Sequence, residues 1–167
     1  MLSYRHAFHA GNHADVLKHF VLWLVLDYFN RKDKPYWYVD THSGAGLYDL
    51  GGSEAQKVGE YRSGIARLMA ADTLPEPLAQ FRGRLKDILP QANLYCGSPW
   101  LAQAQTRADD KLRLFELHPA DFTLLENNMR EAGLKRRGII RREDGFKGLI
   151  ALLPPPTRRA VVLIDPP

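Results

Sequence analysis

The sequence predicts an α/β fold built on a parallel central sheet, and three observations carry that prediction. Short apolar runs, "YWYVD", "KLRLF", "RRGII" and "AVVLI", alternate with longer stretches at helical spacing. "AVVLI" is apolar throughout and β-branched, as a strand covered on both faces is. Each run ends on a polar residue, in "VDTHSGAG", "FELHP", "REDG" and "LIDPP", so four successive strand ends present chemistry to one sheet edge.

The elements follow in order. Asn12 can cap a helix, and Asp15 three residues later resembles a capping box. Leu17, Phe20, Val21, Leu24 and Tyr28 then share one face at helical spacing. "RKDKP" ends that helix and "YWYVD" is the first strand, residues 36–40. After the glycine turn the chain reads as irregular, then as helices over roughly 60–71 and 77–89, separated by "ADTLPEP". Ser98 and Pro99 suit the N-cap and first turn of a further helix. "KLRLFELHP" is a strand, and "ADFTLLENNMREAG" a helix closing on Gly133. "RRGIIRRED" is a strand, "GFKGLIALLP" a short helix and "RRAVVLID" the last strand.

Bulk properties bound the function. The 167 residues are enough for one domain with a real core, with 45% apolar and 25% charged residues. "FVLWLVLDYF" is interrupted by Asp27 and too short to cross a bilayer, so no membrane partner is expected. The N-terminus lacks an apolar signal-peptide region, and a single cysteine, Cys96, excludes an internal disulfide and fits a reducing cytoplasm. The net charge of +4, with a pI near 9.3, leans toward an acidic partner such as nucleic acid.

In "VDTHSGAG", Gly44 and Gly46 follow a strand directly, where glycine lets the backbone turn tightly and approach a ligand. The same pattern also serves an ordinary strand–loop turn. A nucleotide-type cofactor site needs an acid at the next strand end to hold ribose hydroxyls, and Glu116 in "FELHP" occupies that place. Roughly seventy residues separate the glycines from Glu116, against about 20 in a plain dinucleotide fold. Removing the helical segment restores the interval. Residues 51–95 are therefore expected to form a helical insertion subdomain, and 1–50 with 96–167 the cofactor-binding domain. Asp144 in "REDG" fits either an acceptor for an adenine amino group or the N-cap of the following helix.

At these residues the chain resembles S-adenosylmethionine-dependent amino-methyltransferases, and closely the RlmJ family, along essentially its whole length. "YRHAFHAGNHADVLKH", "DTHSGAG", "GSP", "ELHP", "DGF" and "LIDPP" carry the likeness. The resemblance implies a Rossmann-like class I methyltransferase fold and methylation of the N6 amino group of an adenine in 23S ribosomal RNA, before or during subunit assembly, by a cytoplasmic protein that is a monomer when full length. It implies cofactor contacts at His19, His42, Ser98, Glu116, Asp144, Gly145 and Asp165, beside the glycine turn at Gly44 and Gly46. Asp165 is also the implied catalytic residue, with Tyr4, Lys18 and Pro166 on the substrate side. The chain departs from the family in stopping inside its D-P-P-Y motif, with about four strands where such a fold has about seven. A truncated chain, of doubtful activity, is the expectation.

An adenine amino group is a poor nucleophile because its lone pair is delocalised into the ring. The Asp165 carboxylate and the Pro166 carbonyl could accept its two N–H bonds and stabilise the charge that develops on attack. The base must be unstacked to be reached. His6, His9, His13 and His19 crowd the N-terminus, but their spacing matches no zinc pattern and no metal is expected. A helical ion pair with Asp15 is an equally simple reading of His19. "KRRGIIRRE" and "TRR" supply seven basic residues that, with Arg5, Lys18, Tyr4 and Phe8, suit RNA phosphates and bases or merely a solvated face. Three alternatives remain. DNA adenine-N6 or cytosine-N4 methyltransferases use related motifs, an NAD-type oxidoreductase would share the fold, and the chain could be a non-catalytic RNA-binding fragment.

Overall fold

The structure, a computed structural model, describes residues 5–166. In chain order the elements are α1 (His13–Asn30), β1 (Trp37–Asp40), β2 (Leu47–Asp49), α2 (Ser53–Val58), α3 (Ile65–Ala70) and α4 (Glu76–Ile88). Then come β3 (Leu94–Cys96), α5 (Ser98–Gln105), β4 (Lys111–Phe115), α6 (Pro119–Glu131), β5 (Gly138–Arg141), α7 (Gly145–Leu152) and β6 (Ala160–Leu163).

The four expected strands form one parallel sheet in the order β5-β4-β1-β6. Asp40 is level with Leu114 on one side and Leu163 on the other. Glu116 and Asp165 each follow two residues later and leave the sheet at the same carboxyl edge. The sheet buries Tyr38, Leu112 and Leu114 against Leu101, Leu125 and Met129 of α5 and α6. At the amino edge, Asp110 is buried and accepts from the Tyr36 N–H at 2.9 Å and from Arg107.

The segment between β2 and β3 is helical and adds no strand to the four-stranded sheet. Its two ends are closed by an antiparallel ribbon, with Leu47 opposite Cys96 and Tyr48 opposite Tyr95. Ile65, Leu68, Phe81 and Leu85 of this segment belong to the same buried cluster as the sheet residues. The segment is thus packed onto the main core, and we retain residues 51–95 as a proposed subdomain only in the sense of an insertion.

In helix α1 the face picked out by spacing is not the buried one. Its buried face is Asp15, His19, Leu22 and Leu26, whereas Leu17 is 64% and Tyr28 61% exposed, and Val21 and Leu24 are also exposed. The helix is apolar nearly all round, so spacing identifies faces without saying which one meets the core. The face turned inward is set by packing against α4 and α5. At its start, Asn12 does cap the helix, accepting from the Asp15 N–H at 2.9 Å.

The basic residues divide. Arg137 donates to Gln103 Oε1 at 2.7 Å and the Arg107 carbonyl at 2.8 Å. Arg159 donates to the Phe29 and Lys34 carbonyls and lies 5.0 Å over the Phe29 ring. Both stand just before a strand, at the amino edge, and tie the fold together there. Arg141 and Arg142 leave β5 at the opposite, carboxyl edge and are exposed.

Candidate active site

A cavity of about 510 Å³ opens at the carboxyl edge of the sheet. The loop after β1 lies along it at Thr41–Gly44, and α1 contributes Asp15, Lys18 and His19. The other strand ends bring Glu116, Asp144, Gly145, Asp165 and Pro166, and the start of α5 brings Ser98. Among the described residues, the lining thus includes His42, Gly44 and every other residue given an implied cofactor, catalytic or substrate role except Gly46. Tyr4 lies outside the described residues. Gly46 does not reach the cavity. Its φ is +77°, and a Cβ there would stand 3.0 Å from Leu125 and 3.3 Å from Met129, so its part is to let the turn pack on α6.

Gly44, at φ +59°, donates its N–H to Glu116 Oε2 at 2.8 Å. The other oxygen, Oε1, accepts from the His118 N–H at 2.7 Å. Two backbone donors therefore fix the Glu116 carboxylate, and each oxygen keeps lone-pair capacity for a ligand.

Asp40, which sequence reasoning passed over, organises the end of β1. It is fully buried and accepts from Ser98 Oγ at 2.6 Å, Tyr38 Oη at 2.8 Å and the His42 N–H at 3.2 Å. Burial raises its pKa, and these three hydrogen bonds oppose the rise. Ser98 is the first residue of α5, with Gly97 at the cap position, so its hydroxyl serves Asp40 and not the helix end. The only signal in the sequence was an acid closing an otherwise apolar strand.

Asp144 is an N-cap. Its Oδ1 accepts from the Phe146 and Lys147 N–H groups at 2.9 and 3.2 Å, and its side chain borders the cavity. Gly145 sits against the loop after β1, where a Cβ would lie 2.0 Å from the Thr41 carbonyl oxygen. The His42 ring meets Phe146 edge-on, 5.2 Å between centroids, and its Nδ1 is 2.8 Å from Thr41 Oγ1.

At the other end of the cavity, Lys18 Nζ is 2.9 Å from Asp15 Oδ1 and also pairs with Asp165 Oδ2. Burial alone would lower the Lys18 pKa, but the two carboxylates outweigh it and hold the ammonium above its ordinary value. His19 does not bond to Asp15; its Nδ1 is 2.7 Å from Tyr95 Oη. Burial lowers the His19 pKa to about 4, so the ring is neutral near pH 7. The β2–β3 ribbon, missed in the sequence, places Tyr95 there and also Tyr48, which meets the His6 ring edge-on at 5.3 Å.

Among the described residues, six carboxylates line the cavity: Asp15, Glu116, Asp121, Glu143, Asp144 and Asp165. Lys18 is the one lysine or arginine among the described lining residues. Such a lining suits hydroxyl and amino donors and positive charge. It is poorly suited to a pyrophosphate, which is normally met by cations or an open helix N-terminus.

Residues 33–167 match the family model described as "Ribosomal RNA large subunit methyltransferase D, RlmJ". The chain belongs to this family. Its relatives in the RlmJ family include Ribosomal RNA large subunit methyltransferase J of Escherichia coli, 47% identical over 169 residues, and the protein of the same name from Haemophilus influenzae, 45% identical over 170. Both alignments cover 100% of this chain and 59% of the relative, so this RlmJ-family chain spans little more than half the length of either. A crystal structure of a Legionella pneumophila protein superposes with a TM-score of 0.83 at 38% identity, covering 95% of this chain and 58% of that one. No helix among the described residues is long and apolar enough to cross a membrane.

Proposed function

We propose that the protein is an S-adenosylmethionine-dependent methyltransferase acting on the N6 amino group of an adenine in 23S ribosomal RNA, in the cytoplasm, before or during subunit assembly. The full-length protein acts as a monomer in this reading. The observation that carries it is the acidic cavity at the carboxyl edge, with Glu116 and Asp144 at successive strand ends and Asp165 at the next. The names of the relatives point to ribosomal RNA.

The residues present fit the cofactor. Glu116, held by two backbone N–H groups, suits a ribose hydroxyl pair, and Asp144 beside Gly145 suits an adenine amino group. Ser98, His42 and His19 border the remaining space, and an acidic lining favours a sulfonium. When bound, S-adenosylmethionine supplies an already activated methyl group.

The chain's own part is to bind, orient and accept protons. Asp165 and the Pro166 carbonyl take the two N–H bonds of the target amine, drawing its nitrogen toward tetrahedral geometry. Lys18 is then the group that the substrate must move aside, because it already donates to Asp165 Oδ2. No strong base is needed, since the methylated amine is acidic and loses its proton to Asp165 or to water. Placing the two reactants in line supplies much of the rate. The exposed Arg141 and Arg142, at the same edge as the cavity, suit RNA phosphates.

Calorimetry with S-adenosylhomocysteine and with NAD tests the reading. Binding of the first and not the second is expected. NAD binding alone would replace it with the oxidoreductase reading, and binding of neither would favour a non-catalytic RNA-binding role.

A further inference from the structure

Asp15 is a carboxylate only 2% exposed, and a buried carboxylate is uncommon unless its partners repay the lost hydration. Capping does not explain it, because Asn12 already supplies the cap of α1. Its own oxygens go elsewhere. Oδ2 lies 2.8 Å from His6 Nε2 and accepts from the Gly11 N–H at 2.9 Å, while Oδ1 meets Lys18 Nζ at 2.9 Å. His19 also lies near it, and is neutral near pH 7. All the side chains in this cluster line the cavity.

The Lys18 ammonium stands between two unequal carboxylates. The Asp15 side chain is 2% exposed, whereas that of Asp165 is 44% exposed. The same charge pair is screened less in the interior than at the surface, so Lys18 is held more firmly at its Asp15 end. An ammonium has three donors and can serve both acceptors at once, or keep one when the other is taken.

We infer that Asp15 is a positioning residue: it anchors Lys18, so that when an incoming amino group takes the Asp165 carboxylate the ammonium stays on Asp15 instead of competing for it. This rests on the methyltransferase reading. With Asp15 uncharged, Asp165 becomes the sole carboxylate partner of Lys18 in the cluster, and the substrate must break a stronger pair to reach it. His6 loses its carboxylate in the same change.

The test uses nitrogen-15 NMR of the lysine ammonium groups, which detects those protected from exchange by firm hydrogen bonding, together with methyl transfer. In the wild type and in Asp165→Asn, Lys18 should give a protected signal, because Asp15 still holds it. In Asp15→Asn, which keeps the shape and removes the charge, the signal should vanish. Its loss in Asp165→Asn, or survival in Asp15→Asn, overturns the inference. In methyl transfer, Asp15→Asn should lower kcat/KM for RNA by about tenfold to 100-fold, the usual cost of a misplaced group, with S-adenosylhomocysteine affinity little changed. Wild-type turnover in a folded variant overturns it too. Should Asp15→Asn not fold, Asp15→Glu, with its charge displaced by one methylene, takes its place. It should weaken the Lys18 signal, and wild-type behaviour there counts against the inference. If the wild type binds no S-adenosylhomocysteine, the methyltransferase reading fails by itself, while the NMR comparison still decides whether Asp15 anchors Lys18.

Discussion

Glu116 and Gly44 are joined across two adjacent strand ends by a hydrogen bond of 2.8 Å from the Gly44 N–H to the Glu116 carboxylate. The glycine turn after β1 and the acid after β4 are thereby one unit, and the unit faces the cavity. Glu116→Ala should weaken S-adenosylhomocysteine binding by about 1–3 kcal/mol, the usual worth of hydrogen bonds to a charged group. Calorimetry on the folded variant checks this. Unchanged affinity would remove Glu116 from the site.

His19 gives a pH dependence of stability. Its ring is neutral in the fold, with the pKa lowered from 6.5 to about 4, chiefly by burial. The unfolded chain takes up a proton below about 6.5 and the folded one does not, so folding is favoured above that pH. The advantage should fall away as the pH drops from about 6.5 to about 4, by at most about 3 kcal/mol. Asp15, whose pKa lies below its ordinary 3.8, loses its contribution only at lower pH still. Urea unfolding of the wild type should therefore weaken across that window, and His19→Gln should flatten the slope. Equal slopes would show that His19 is not buried in neutral form.

Gly145 is a packing constraint between α7 and the Thr41 loop after β1. A methyl group there would meet the Thr41 carbonyl at 2.0 Å, and backbone cannot step aside as a side chain can. Gly145→Ala should cost about 1–3 kcal/mol, as overpacked sites do, and should also weaken S-adenosylhomocysteine binding by displacing Asp144. Unfolding and calorimetry read the two effects. A variant as stable as the wild type would mean that α7 is free to move away from the Thr41 loop.

Most of the sheet was legible because its strands are short, apolar and each closed by a turn signal; "AVVLI" before Asp165 is the plainest case. The strand ends were legible for the same reason, and with them Glu116, Asp144 and Asp165. The β2–β3 ribbon was not legible, because "LYD" and "LYC" are three residues each and pair across a long helical segment. Yet it is the ribbon that sets Tyr95 against His19. Helix α2 was likewise read as irregular chain, being only six residues long. Leu17 and Tyr28 share the face that spacing picks out yet are exposed, because periodicity defines a face but cannot orient a helix that carries apolar residues on several sides. Asp40 and Asp15 were missed as hubs because a buried acid looks in sequence like any other acid; only its partners, Ser98 and Tyr38 in one case and His6 and Lys18 in the other, reveal it.

The most direct test of the central claim is methyl transfer itself. Protein-free 23S ribosomal RNA is incubated with S-adenosylmethionine and the protein, then digested to nucleosides and analysed by mass spectrometry. The wild type should yield N6-methyladenosine. Asp165→Asn, which keeps the Lys18 neighbourhood but removes the carboxylate that accepts the amine, should lower the yield by at least about 100-fold, the scale seen when one key transition-state partner is lost. An equal yield from Asp165→Asn, or a methyl group found on cytosine, would contradict the account.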